Sequence, residues 1–121
     1  MLTLPPSTRI YVATGPTDMR KQFDGLIALA RDVMKQDPFS GHLFAFCNRR
    51  RDRLKLLFFD RSGFWLAAKR LEVGTFAWPS AKGDATPITW TAADLTLLLS
   101  GVDPSTVRRR RWWNREVATA T

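Results

Sequence analysis

The sequence predicts a single α+β domain, and three observations carry that prediction. The chain has 121 residues, 45% hydrophobic and 25% charged, enough apolar material for one packed core and too short for two domains. Apolar residues recur at helical spacing in two places, around residues 19–36 and 92–100. Between them lie runs of strand length, rich in Phe and Leu and separated by polar turns.

Each element follows from its residues. Arg9-Ile10-Tyr11-Val12-Ala13 reads as a short strand ended by the Gly15-Pro16 turn. Thr17 or Asp18 can cap the next helix, with the Asp18 carboxylate favourable at its positive end. Met19, Phe23, Leu26, Ile27, Ala30, Val33 and Met34 recur at intervals of three and four through Gln36, which predicts a long amphipathic helix. Gly25 within it implies close packing, and Asp37-Pro38-Phe39-Ser40-Gly41 stops it. Residues 42–47 and 54–59 are apolar runs joined by the polar loop Asn48-Arg49-Arg50-Arg51-Asp52-Arg53. A second turn, Asp60-Arg61-Ser62-Gly63, leads into residues 64–71, and residues 75–78 make a fourth short strand closed by Pro79. Tight turns between consecutive strands imply an antiparallel meander of about four strands. The continuous apolar character of residues 42–47 and 54–59 implies that both faces are at least partly covered. Residues 79–90, rich in Pro, Gly, Ser and Thr, read as a loop. Thr91 can cap a C-terminal helix over residues 92–100, whose Leu95, Leu98 and Leu99 would pack on the sheet before Gly101 and Pro104 end it. The domain thus covers residues 1–107, and residues 108–121 form an Arg/Trp-rich basic tail, expected to be flexible.

Charge narrows the function. Lys and Arg number 19 against 11 Asp and Glu, a formal charge of +8. A small domain this basic is drawn to a polyanion, most often nucleic acid. Half of the surplus sits in the tail, where Arg108, Arg109, Arg110, Arg111 and Arg115 face one Glu. One cysteine, Cys47, excludes an internal disulfide, and with one histidine, His42, the chain lacks the four ligands of a structural zinc site. No apolar run approaches the ~18 residues that a membrane helix needs. The start lacks a secretory pattern, so a reducing cytoplasmic setting is expected.

Five of the seven residues from Arg49 to Lys55 are basic, and a loop projecting that charge can straddle a phosphate backbone. The plainer reading is a solvated turn; the overall charge and the tail favour phosphate. Trp112 and Trp113 behind four arginines can stack on bases or insert at a protein interface, or belong to an incidental extension. The aromatics of the strands are explained by core packing more cheaply than by base stacking. Catalysis has the weakest support. Asp18, Asp24, Asp52 and Asp60 each have a cap, turn or surface explanation, whereas a two-metal nuclease needs convergent carboxylates. There is no Gly-rich phosphate loop, and His42 and Cys47, five apart on a strand, point to opposite faces.

Several ordered blocks then resemble one family: Ala13-Thr14-Gly15-Pro16-Thr17-Asp18-Met19-Arg20-Lys21, Phe23-Asp24-Gly25-Leu26, and Asp37-Pro38-Phe39-Ser40-Gly41-His42-Leu43-Phe44. Asn48-Arg49-Arg50-Arg51-Asp52-Arg53-Leu54-Lys55, Lys69-Arg70-Leu71-Glu72 and Phe76-Ala77-Trp78-Pro79 extend the match over residues 5–103. Together they resemble the TnpB accessory proteins of insertion sequence 66 elements, which are unrelated in kind to the RNA-guided nuclease of the same label. This chain departs at Gln22 and Arg61, where the family has Gly usually and often, respectively. The resemblance implies a helper of a separate transposase that itself carries the acidic catalytic residues, and it transfers no catalytic residue, cofactor or metal.

The expected function is therefore a non-enzymatic accessory role in DNA transposition, by binding element DNA, the transposase, or both. An adaptor that docks on the transposase without touching DNA, and a nuclease, are the alternatives. The expected DNA contacts are Arg20, Lys21, Arg49, Arg50, Arg51, Arg53, Lys55, Lys69 and Arg70, with Arg108, Arg109, Arg110 and Arg111 of the tail.

Overall fold

A computed structural model describes residues 5–79 and 86–101. Its elements run β1 (Ile10–Val12), α1 (Phe23–Ala28), a π-helical segment (Leu29–Val33), β2 (Leu43–Cys47), β3 (Arg53–Phe59), β4 (Phe64–Arg70), β5 (Ile88–Trp90) and α2 (Ala92–Leu99). The strands form one mixed sheet in the order β4-β3-β2-β1-β5. β1 lies parallel to β2, so the first helix is the crossover of a βαβ unit. The remaining pairs are antiparallel, and β2, β3 and β4 make the expected meander.

Alternation along the strands builds two cores. Ile10, Val12, Leu43, Ala45, Cys47, Leu54 and Phe58 point to one face, and Tyr11, Phe44, Phe46 and Leu57 to the other. Leu26, Ala30 and Met34 of the first helix cover the second face. Leu95 and Leu98 of α2 cover the first, together with Trp90, Phe76 and Trp78. All five residues of β2 are buried, as a strand covered on both sides requires.

Four expectations change. The helix starts at Phe23, not at residue 18 or 19, and its N-cap, Gln22, makes no side-chain cap bond. Two preceding carbonyls are taken elsewhere, since Lys55 Nζ donates to Met19 O and Lys21 O, each at 2.9 Å, and upstream the Thr17 N–H is tied to Cys47 O at 2.8 Å. From Leu29 the helix widens to π geometry, with Met34 N–H donating to Leu29 O. Opposite senses of drift in the two geometries keep Leu26, Ala30 and Met34 in line over residues four apart, whereas Phe23 and Val33 stay exposed. The long regular helix is therefore a shorter, composite one. Gly25 is tight as expected: a Cβ there would meet the Lys21 side chain at 3.1 Å.

Residues 75–78 do not form a strand. Phe76 N–H donates to Arg51 O at 2.7 Å and Trp78 N–H to Phe76 O, so the segment is a plug that buries Phe76 and Trp78, leaves Thr75 and Ala77 exposed, and makes no ladder. The missing strand is β5, inside the stretch read as a loop, where Ile88 and Trp90 pair with Val12 and Ile10. α2 agrees with its reading, with a capping box in which Asp94 N–H donates to Thr91 Oγ1 and Thr91 N–H to Asp94 Oδ2. Gly101 follows in the left-handed region at φ 85°. Pro104 and the tail of residues 108–121 lie outside the described residues.

Candidate nucleic-acid interface

Because β1 and β2 are parallel and β3 and β4 alternate, one end of the sheet gathers three basic segments: residues 13–21, the turn at 48–53, and residues 69–72. They are tied to one another. Leu71 N–H donates to Asp52 O at 2.8 Å, Thr17 N–H to Cys47 O, and Lys55 Nζ to the 19–21 carbonyls.

Asn48 organises the turn. Its Oδ1 accepts from Asp52 N–H and Arg53 N–H, each at 3.1 Å, and its Nδ2 donates to Asp52 Oδ1 at 2.7 Å. Sequence reasoning passed over this residue, although Asn at the head of a turn is a known device. Arg51 closes the turn at φ 62°, an unusual conformation for a side chain of its size. Arg49, Arg50 and Arg51 are exposed at the tip, and Arg53 is exposed where β3 begins.

The other predicted contacts differ in their engagement. Arg53 stands directly opposite Arg70 across the ladder, a like-charge pair that is unfavourable without an anion nearby. Arg70 also pairs with Glu72 at 3.0 Å. Lys69 Nζ donates to Leu99 O at 2.9 Å, at the negative end of α2. A groove of about 420 Å³ runs beside them, lined by Met19, Arg53, Ala68, Lys69, Arg70 and Glu72 among others. Arg20 is 91% exposed and grips Asp18 through Nε and an Nη nitrogen, which holds the Asp18 carboxyl at about 2, below its ordinary 3.8. Lys21 is exposed. Lys55 differs: it is largely buried, with both described bonds to backbone carbonyls, so it ties the 19–21 loop to β3, and it also lines the groove. Arg108, Arg109, Arg110 and Arg111 lie outside the described residues.

The acids have local duties. Asp52 holds Asn48; Asp60 accepts from Ser62 N–H, Gly63 N–H and the Trp65 indole, at 2.6 Å for the indole, which lowers its carboxyl pKa. Among the described residues, no three His, Cys, Asp or Glu side chains gather to hold a metal. His42 Nδ1 accepts Arg9 N–H at 3.0 Å, joining the starts of two strands, and burial pushes the Cys47 thiol up to about 11. Phe44, Phe46, Phe76 and Trp78 are core residues; of the strand aromatics Trp65 is the conspicuous one at the surface, 55% exposed. Among the described residues, no helix is long and apolar enough to cross a membrane.

This end thus presents basic side chains on strands and turns, with Asp18, Asp52 and Glu72 each held by a neighbouring side chain. Comparison with known proteins bears on what it serves. The chain is 43% identical over 103 residues to uncharacterized protein y4hO of Sinorhizobium fredii (strain NBRC 101917 / NGR234), covering 85% of this chain and 88% of that protein. It is 38% identical over 102 residues to uncharacterized protein y4jC of the same strain, covering 84% and 86%. No solved structure matches it. The family model described as IS66 Orf2-like protein matches residues 8–109, which takes in every described strand and helix. The chain belongs to the IS66 Orf2-like family, the accessory proteins of these insertion sequences.

Proposed function

We propose that this protein assists transposition by binding DNA phosphates with the basic end of its sheet, acting beside the element's separate transposase and performing no bond chemistry itself. The observation that carries the reading is the convergence of Arg20, Lys21, Arg49, Arg50 and Arg53 from two tied segments onto one end. The turn at 48–53 is held by Asn48 and tied to the neighbouring segments, which limits the spacing of these charges, and phosphate contacts from strands and turns set the register of a protein on a duplex.

The reading is tested by electrophoretic mobility shift with element-end DNA, first with the protein alone and then with the transposase added. A shift by the protein alone is expected. A shift that requires the transposase, with none otherwise, would favour the adaptor reading. Incubation with supercoiled DNA and Mg²⁺ or Mn²⁺ is expected to give no nicking; nicking lost on Asp52→Ala or Asp60→Ala would overturn the non-enzymatic part.

A further inference from the structure

Strand β4 forms one outer edge of the sheet. Proteins blunt such edges with short strands, bulges, proline or charged side chains that sweep the edge. Of these β4 has only charged side chains, Lys69 and Arg70 at its C-terminal end. It is seven residues long, pairs with β3 without a bulge from Arg53↔Arg70 to Phe59↔Phe64, and contains no proline. Its two cations are held, Lys69 at the Leu99 carbonyl and Arg70 at Glu72. The opposite edge, β5, has three residues.

The ladder fixes which backbone groups point outward. Leu71 N–H donates to Asp52 O and Asp60 N–H to Gly63 O, so odd-numbered residues from Gly63 to Leu71 turn toward β3. The N–H and C=O groups of Phe64, Leu66, Ala68 and Arg70 therefore face away, and no described strand takes them. Trp65 stacks one ring face on Phe58 of β3, with centroids 6.3 Å apart and planes 7° from parallel. Trp65 is nonetheless 55% exposed, and its indole N–H is occupied by Asp60.

We propose that β4 pairs antiparallel with β4 of a second copy, with Ala67 on the two-fold axis. In this register Leu66 lies opposite the partner's Ala68, and all seven residues find a counterpart. Trp65 meets the partner's Lys69, and Phe64 meets the partner's Arg70, so each cation stem crosses a ring and no like charges oppose. Sliding the strands by two residues either way loses both of these pairs. Sliding by one sets outward groups against inward ones. The axis runs normal to the sheet, so the copies form a continuous ten-stranded sheet with the basic ends pointing in opposite directions. Where those ends bind DNA, the dimer bridges two segments. That consequence rests on the proposed function; the dimer itself does not.

The test is sedimentation equilibrium of the full chain without DNA, and the expected result is a monomer–dimer equilibrium in the micromolar range. At the axis the two residues 67 form a non-hydrogen-bonded pair with Cα atoms about 4.5 Å apart, within disulfide reach. Ala67→Cys should therefore cross-link on mild oxidation, whereas Arg49→Cys, at the sheet's end, should not; Cys47 is too buried to compete. Ala68→Pro removes only an outward N–H, and Ala67→Lys opposes two ammonium groups across the axis. Both should be monomeric with unchanged circular dichroism, and Ala67→Lys, at an exposed position, decides if the proline variant fails to fold. A wild-type chain that stays monomeric, a dimer that survives Ala67→Lys, or failure of Ala67→Cys to cross-link overturns the proposal.

Discussion

Replacing Lys55 by Met separates a structural lysine from a DNA contact. Sequence reasoning put Lys55 among the phosphate ligands, but its ammonium is buried and donates to Met19 O and Lys21 O at 2.9 Å. Methionine keeps most of the stem's packing and removes both bonds. Hydrogen bonds to a charged group contribute about 1.5–3 kcal/mol each. Relief of the buried charge and access of water to the two carbonyls offset part of that sum, leaving a net loss of about 2 kcal/mol. For a domain of this size the loss lowers Tm by roughly 10 °C, measured by circular dichroism in thermal scans. The salt dependence of DNA binding should change little, because no phosphate contact is removed. A Tm unchanged within about 2 °C, with a log–log salt slope reduced by about 0.9, would refute the reasoning and return Lys55 to the interface.

Three other outcomes follow from the same geometry. Asn48→Ala removes the side chain that holds the 48–53 turn and should destabilise by about 1–2 kcal/mol in urea titration with an unchanged m-value. Arg61→Gly relieves a side chain at φ 86°; about 1 kcal/mol of relief against about 0.5 kcal/mol of added unfolded-state entropy should leave a small gain, seen as a raised urea midpoint. Asp18 is held at about 2 by Arg20, so the folded state binds fewer protons than the unfolded state; its stabilisation is present above the ordinary 3.8 and lost as pH falls toward 2, and Asp18→Asn should flatten the denaturation midpoint over that window.

What the sequence made legible was what local chemistry decides. The meander of β2, β3 and β4 was readable because each strand is an apolar run between turn residues, and α2 because Thr91 can cap a run carrying Leu95, Leu98 and Leu99 that Gly101 ends. The parallel insertion of β1 beside β2 was not, since nothing in five residues states which neighbour a strand will choose. β5 was hidden by its length: Ile88, Thr89 and Trp90 are too few to establish a period among Pro and Thr. Residues 75–78 show the reverse, for their apolar content is real but belongs to a plug anchored by Trp78 Nε1 to Ala13 O at 2.8 Å. In the interface, the basic turn was visible as a charge run. The inward course of Lys55 was not, because its alternation with Leu54 and Leu56 points it only to a face, and the 19–21 carbonyls waiting there come from more than thirty residues away.

The most direct test of the proposal that the basic end binds phosphates is the salt dependence of DNA affinity, by fluorescence anisotropy, for the wild-type chain and for Arg49→Ala/Arg50→Ala/Arg53→Ala. Each neutralised phosphate contributes about 0.9 to the slope of log affinity against log salt, so the triple variant should lose roughly 2.7 units at full engagement. Its Tm should stay near that of the wild type, since exposed charges contribute within about 0.5 kcal/mol. An unchanged slope and affinity in a folded triple variant would contradict the account.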